Sequence, residues 1–201
     1  MNKNVPNIIT MSRVVLTPIM ILLFLLPIPN SIGLFAAFGV FVLGSFSDAL
    51  DGYLARKYNL VSDLGKMLDS IADKFIQTTA IVLILAGTEL LPLWAALTCL
   101  LIIILRDIWI NAIRQICATK GVVVAADFLG KLKSIFLDVA VSVLMFYIAI
   151  RGVVSGTFLT YLLITGMSIF VVGVALCLIS CVNYTISCMP AVLDKKNTQE
   201  K

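Results

Sequence analysis

Apolar runs long enough to cross a membrane recur along the whole chain. A helix needs roughly 20 apolar residues to cross about 30 Å of hydrocarbon. Short segments such as "PIPN" and "GTELLP" separate the runs, and their prolines and glycine are typical of helix ends. The pattern predicts about six transmembrane helices, at residues 8–26, 32–56, 66–86, 92–117, 130–150 and 157–183.

Composition supports a membrane protein. The mean hydropathy is +1.08, and only 13% of the residues are charged, against about 25% in soluble domains. No internal repeat divides the chain. We therefore predict an all-α, polytopic membrane protein with a single integral membrane domain over residues 1–201. Within it, residues 1–7 would form an interfacial segment and residues 190–201 a cytoplasmic tail.

The positions of lysine and arginine predict the orientation. With the N-terminus inside, all of the 15 Lys and Arg residues except Arg151 fall on the inner side. Cytoplasmic loops carry an excess of these residues, so both termini are expected in the cytoplasm. The net charge of +4 then reflects topology. No basic cluster is interleaved with aromatic residues, so nucleic acid is not an expected partner.

Acidic residues concentrate in one stretch, "SDALDGYLARKYNLVSDLGKMLDSIADK". Asp48 and Asp51 are three residues apart near the end of the second predicted helix, and Asp69 and Asp73 are four apart in the third. Residues at these spacings share a helix face. The short connection makes the two helices antiparallel neighbours. Four carboxylates are therefore expected to converge at the cytoplasmic end of the bundle.

Four carboxylates this close cannot all ionise without added positive charge. Oxygen ligands without histidine favour hard ions such as Mg²⁺, Mn²⁺ or Ca²⁺ over Zn²⁺. Four aspartates have enough oxygens for two ions, an arrangement that supports phosphoryl transfer. A divalent-cation transporter is the alternative from a different class, although transport sites lie near the bilayer midplane.

Small residues and one arginine lie among the carboxylates. Gly52, Ala55 and Gly65 would let a bulky group approach the backbone, but close helix packing explains small residues equally well. Two roles are open for Arg56. Its guanidinium would donate two hydrogen bonds to a diphosphate, or its charge would only set the membrane topology.

A second, cationic cluster follows later in the chain. Arg106 and Arg114 are eight residues apart on one face of the fourth predicted helix. Lys131 and Lys133 lie at the start of the fifth predicted helix. A basic group at membrane depth needs a partner. For Arg106 this is either an anionic substrate group or a nearby carboxylate. The candidate carboxylates are Asp107, Asp127 and Asp138.

The motif D-x2-D-G-x2-A-R-x8-G-x3-D-x3-D, from Asp48 to Asp73, resembles the signature of the CDP-alcohol phosphotransferase family. All eight fixed positions are matched. The segments "NVPNIITMSRVVLTPIMILLF", "RDIWINAIRQ" and "LGKLKS" look like the bacterial branch of that family that makes phosphatidylglycerol phosphate. The resemblance covers nearly the whole chain.

The resemblance implies transfer of a phosphatidyl group from CDP-diacylglycerol to glycerol 3-phosphate, with release of CMP. Two divalent cations, Mg²⁺ or Mn²⁺, would be held by four aspartates, of which Asp73 would also be the general base. The implied metal ligands are Asp48, Asp51, Asp69 and Asp73. The implied donor-binding residues are Asp48, Gly52, Ala55, Arg56, Gly65 and Asp69. The implied acceptor-phosphate residues are Arg106, Arg114, Lys131 and Lys133.

The resemblance further implies a homodimer surrounded by lipids of the inner (cytoplasmic) membrane, with its active site facing the cytoplasm. Within the family, the alternative acceptors for the same donor are inositol phosphate, inositol, serine and phosphatidylglycerol. Two positions depart from the branch's usual pattern. Ser70 stands where proline is typical, and Asp107 stands where glutamate is frequent.

Overall fold

The computed structural model is a bundle of six α-helices, and it describes residues 5–26, 31–57, 63–88, 90–119 and 128–193. The helices are α1 (Val5–Leu25), α2 (Ile32–Lys57), α3 (Asp63–Gly87), α4 (Leu93–Thr119), α5 (Phe128–Ile150) and α6 (Thr157–Leu193). The described ranges contain no β-strand. The predicted all-α fold with six helices is therefore confirmed.

The helix boundaries agree with the prediction except at the end of α6. The other predicted ends lie within about three residues of those observed, whereas α6 runs to Leu193 instead of 183. The extension has a tertiary cause, since Tyr184 and Cys188 are buried against α4. Residues 190–193, predicted as part of the tail, are helical. Apolar length alone matches a membrane thickness and does not detect such packing.

The surface of the bundle suits a hydrocarbon environment. Within the described residues, α4, α5 and Thr157–Met189 of α6 are long and apolar enough to cross a membrane, and Met11–Leu25 and Ile32–Ser47 are shorter apolar helices. Phe46, Trp94 and Phe128 are each more than 70% exposed. So much exposed apolar area marks a surface that meets lipid or another chain.

Close packing of α5 against α6 forms much of the core. Gly166 and Gly173, seven residues apart on α6, lie against Leu144 and Leu137 of α5. A Cβ at Gly166 would be 2.8 Å from Leu144 Cδ2, and one at Gly173 would be 2.9 Å from Leu137 Cδ2. Glycine at these positions lets the two backbones approach closely, as is common between membrane helices.

A second close contact joins α1, α2 and α3. A Cβ at Gly44 of α2 would lie 2.5 Å from Ile76 Cδ1 of α3 and 4.0 Å from Arg13 Cγ of α1. Asp48 follows Gly44 by one turn on the same face of α2, and Asp73 precedes Ile76 by about one turn on α3. The backbone register therefore brings the acidic turns of α2 and α3 to the same end of the bundle.

The contact at Gly166 gives a prediction for stability. Gly166→Ala should lower the melting temperature of the purified protein in detergent, because Leu144 is only 1% exposed and has little room to move. Overpacking of this kind costs about 1–3 kcal/mol. Gly39→Ala is the matched control, since a Cβ there meets nothing within 4 Å. Equal melting temperatures for the two variants would contradict this packing.

Candidate active site

The predicted metal- and donor-binding residues lie on the facing ends of α2 and α3. Among them, the structure describes the side chain of Asp73. For the others it gives only the helical backbone, and their side chains lie outside the described part. These residues are Asp48, Asp51, Gly52, Ala55 and Arg56 on α2, and Gly65 and Asp69 on α3. Convergence of the four carboxylates stays a prediction, which the register at Gly44 and Ile76 supports.

A polar cavity of about 400 Å³ lies between α3, α4 and α5. We call it the polar pocket. Its charged lining residues are Asp73, Lys74, Arg106, Asp107, Arg114, Lys131, Lys133 and Asp138. All four predicted acceptor-phosphate residues therefore line the same cavity as Asp73, the predicted general base.

Asp107 joins two of these cations. Its Oδ1 accepts a hydrogen bond from Arg106 Nη1 at 2.8 Å and another from Lys133 Nζ at 2.7 Å. The side chains of all three residues are at most 14% exposed. Among the candidate carboxylates, Asp107 is thus a partner of Arg106, whereas Asp127 lies outside the described residues. One carboxylate shared by two cations leaves this ion cluster with a net positive charge, which suits an anionic ligand.

Two hydroxyl groups of α6 contact the arginines of α4. Arg106 Nη2 donates to Ser180 Oγ at 2.6 Å, and Arg114 Nε donates to Tyr184 Oη at 3.1 Å. The Arg114 Cζ also lies 5.4 Å from the centroid of the Tyr184 ring. Neither residue was predicted from the sequence, although their spacing of four within an apolar helix was a usable signal.

Gly130 makes room for one of these guanidinium groups. A Cβ at this position would lie 3.2 Å from Arg106 Nη2 and 3.8 Å from Ser180 Oγ. The first turn of α5 therefore approaches the guanidinium more closely than a larger residue would allow.

The inner end of the polar pocket carries another polar pair. Gln77 Nε2 donates to Asp138 Oδ1 at 2.7 Å, and Gln77 is only 4% exposed. Gln77 lies one turn after Asp73 on α3, so this pair is next to the predicted base. From the sequence, Asp138 was expected only as a partner for Arg106, and the structure shows that it accepts a hydrogen bond from Gln77.

The depth of the cations varies within the polar pocket. Arg114 and Lys131 are exposed, whereas Lys133 is only 3% exposed. The pocket therefore presents exposed cations at its outer end and a buried ion cluster inside. A small anion entering from solvent would meet Arg114 and Lys131 first.

An apolar groove of about 620 Å³ adjoins the polar pocket between α3 and α4. Phe75, Val82 and Ile108 are among its lining residues. The groove and the polar pocket share three lining residues. These are Lys74, Asp107 and Asn111. An amphipathic molecule would thus find an apolar and a polar surface side by side.

Comparison with known proteins shows the family of the chain. The family model for CDP-alcohol phosphatidyltransferase matches residues 3–179. A CDP-diacylglycerol–glycerol-3-phosphate 3-phosphatidyltransferase from Bacillus subtilis is 37% identical over 154 residues, which cover 72% of this chain and 77% of that protein. Proteins of the same name from Rickettsia prowazekii and Escherichia coli are also similar. The former is 34% identical over 187 residues, covering 93% of this chain and 96% of that protein. The Escherichia coli protein is 35% identical over 147 residues, which cover 72% of this chain and 78% of that protein. The chain therefore belongs to the CDP-alcohol phosphatidyltransferase family.

Proposed function

We propose that this protein transfers a phosphatidyl group from CDP-diacylglycerol to glycerol 3-phosphate, giving phosphatidylglycerol phosphate and CMP. The observation that carries the proposal is the polar pocket, where Asp73 shares one cavity with Arg106, Arg114, Lys131 and Lys133. The names of the similar proteins from three bacteria support the same reaction.

The cations of the polar pocket bind the phosphate of the acceptor. Arg114 and Lys131, which are exposed, meet it at the outer end. Arg106 and Lys133 hold a position deeper in the pocket, where Asp107 neutralises only part of their charge. A guanidinium fork matches two phosphate oxygens at once, so arginine adds orientation as well as attraction.

The facing ends of α2 and α3 hold the donor. Asp48, Asp51, Asp69 and Asp73 are a donor set that suits two divalent cations, Mg²⁺ or Mn²⁺, because every ligand atom is a carboxylate oxygen. When bound, these ions neutralise negative charge on the diphosphate of the donor. The contact of α2 with α3 at Gly44 and Ile76 supports this grouping.

Other residues of the motif complete the donor site. Gly52, Ala55 and Gly65 leave space for the cytidine and for close approach of the backbone. Arg56 donates hydrogen bonds to the phosphates of the nucleotide.

Asp73 accepts the proton of the acceptor's attacking hydroxyl. The oxygen of the glycerol 1-hydroxyl forms a bond to the phosphorus that carries diacylglycerol, and the bond from that phosphorus to CMP breaks. The polar pocket contributes by orientation, since it holds the acceptor phosphate while the hydroxyl lies against Asp73. Gln77 and Asp138 offer further hydrogen bonds next to the base.

The environment of the site suits a lipid donor with a water-soluble head. The apolar groove adjoins the polar pocket at Lys74, Asp107 and Asn111. The distribution of lysine and arginine in the sequence supports a cytoplasmic site in the inner membrane, with both termini on the same side. The homodimer implied by the family resemblance is part of the proposal.

Replacement of the general base should stop turnover. Asp73→Asn should lower kcat by at least about 100-fold, because general-base assistance contributes about 10²–10⁴-fold. Binding of CDP-diacylglycerol, measured by calorimetry in detergent, should remain detectable. Asp63→Ala is the control, since Asp63 matches no fixed motif position and should leave kcat unchanged. Full activity of Asp73→Asn would refute the role of this carboxylate.

Removal of a pocket cation should weaken acceptor binding selectively. Arg114→Ala should raise the KM for glycerol 3-phosphate by about 10-fold or more, since a hydrogen bond to a charged group contributes about 1.5–3 kcal/mol. The KM for CDP-diacylglycerol should stay constant. Arg151→Ala removes an exposed arginine just past the far end of α5 and should change neither constant. An unchanged acceptor KM in Arg114→Ala would count against the pocket.

Acceptor choice is tested directly by CMP release from CDP-diacylglycerol with a panel of acceptors. Glycerol 3-phosphate should give the highest rate, and serine and inositol should give rates near background, because a neutral acceptor leaves the pocket cations without a partner. Release with serine equal to that with glycerol 3-phosphate would overturn the proposed acceptor. A higher rate with inositol phosphate would reassign it.

A further inference from the structure

Ser180 and Tyr184 stand one turn apart on α6, and each contacts an arginine of the polar pocket. Ser180 is fully buried and Tyr184 is only 4% exposed. We propose that these two hydroxyl groups are positioning residues for the acceptor, because they orient the guanidinium groups of Arg106 and Arg114 toward its phosphate. The inference rests on the proposed function and adds α6 to the elements that determine acceptor affinity.

Arg106 is held from three sides. Its Nη1 donates to Asp107 and its Nη2 donates to Ser180, while Gly130 approaches Nη2 from α5. These contacts fix the plane of the guanidinium. The Nε of Arg106 is buried and has no hydrogen-bond partner within the described part of the structure. A buried donor of this kind has a hydrogen bond to offer to a ligand oxygen.

Arg114 is held along one edge. Its Nε donates to Tyr184 Oη, and its Cζ lies 5.4 Å from the Tyr184 ring centroid. A guanidinium has five N–H groups in a planar fork. Within the described part of the chain, the two terminal nitrogens of Arg114 therefore remain for phosphate oxygens. Arg114 is itself exposed, so without this contact binding would have to order a long, flexible side chain.

Packing fixes the position of the tyrosine hydroxyl. The Tyr184 side chain lies in a buried cluster with Ile110, Ile113 and Cys117 of α4 and Cys188 of α6. The ring therefore has little freedom, and its hydroxyl is a stable acceptor for Arg114 Nε. The end of α6 that continues past the predicted boundary thus supports Arg114, which lines the polar pocket.

Tyr184→Phe tests the inference because it retains the ring and removes only the hydroxyl. The KM for glycerol 3-phosphate should rise about 3- to 10-fold, the cost of ordering one flexible side chain, whereas kcat and the KM for CDP-diacylglycerol should change less than about 2-fold. Ser180→Ala should act in the same direction through Arg106. Thr185→Val is the matched control, since this α6 hydroxyl accepts from Trp109 Nε1 outside the polar pocket, and it should leave the acceptor KM unchanged.

A double-mutant cycle separates positioning from general loss of structure. In the Arg114→Ala background, Tyr184→Phe should cause no further rise in the acceptor KM, because its effect passes through Arg114. An equal rise in both backgrounds would overturn the inference, as would an unchanged KM for Tyr184→Phe in an enzyme that responds to Arg114→Ala. If Arg114→Ala leaves the acceptor KM unchanged, the proposed acceptor pocket is wrong, and the positioning role that rests on it is wrong as well.

If Tyr184→Phe does not fold, the same cycle is measured with Ser180→Ala in the wild-type and Arg106→Ala backgrounds, and its outcomes are interpreted in the same way.

Discussion

A charge inside an apolar helix bundle requires a neutralising partner or hydrogen bonds, and this constraint governs the functional end of the protein. Asp107 meets the requirement for Arg106 and Lys133, since one of its oxygens accepts from both. Hydroxyl groups of α6 supply further partners to the arginines. In our proposal, the aspartates of α2 and α3 pose the same requirement with the opposite sign, and divalent cations meet it.

In our proposal, helix α3 connects two sites of opposite charge. It carries two of the four motif aspartates, and its Asp73 side chain also lines the polar pocket. Close packing keeps it in register, because Gly44 of α2 leaves room for Ile76. The small residue at Gly44 thus sets the register of α2 against α3. In a phosphatidyl transfer this geometry brings the diphosphate of the donor to the hydroxyl of the acceptor.

Local sequence patterns predicted the helices and much of the polar pocket. Apolar length predicted six helices, and helical spacing predicted that Arg106 and Arg114 share a face. Contacts distant in sequence were not predictable in this way. Ser180 is 74 residues from Arg106, and Tyr184 is 70 from Arg114. The carboxylate partner of Arg106 also remained open among Asp107, Asp127 and Asp138. Residue spacing within a helix does not show which side chains of other helices lie against Arg106.

The most direct test of the central claim is the number of divalent ions that the purified protein binds in the presence of CDP-diacylglycerol. Free Mn²⁺ can be followed by electron paramagnetic resonance during a titration. Our account predicts about two bound ions per chain, as in a two-metal site, and weaker binding after Asp48→Asn or Asp69→Asn. A wild-type protein that binds no Mn²⁺ and still releases CMP in excess chelator would contradict it.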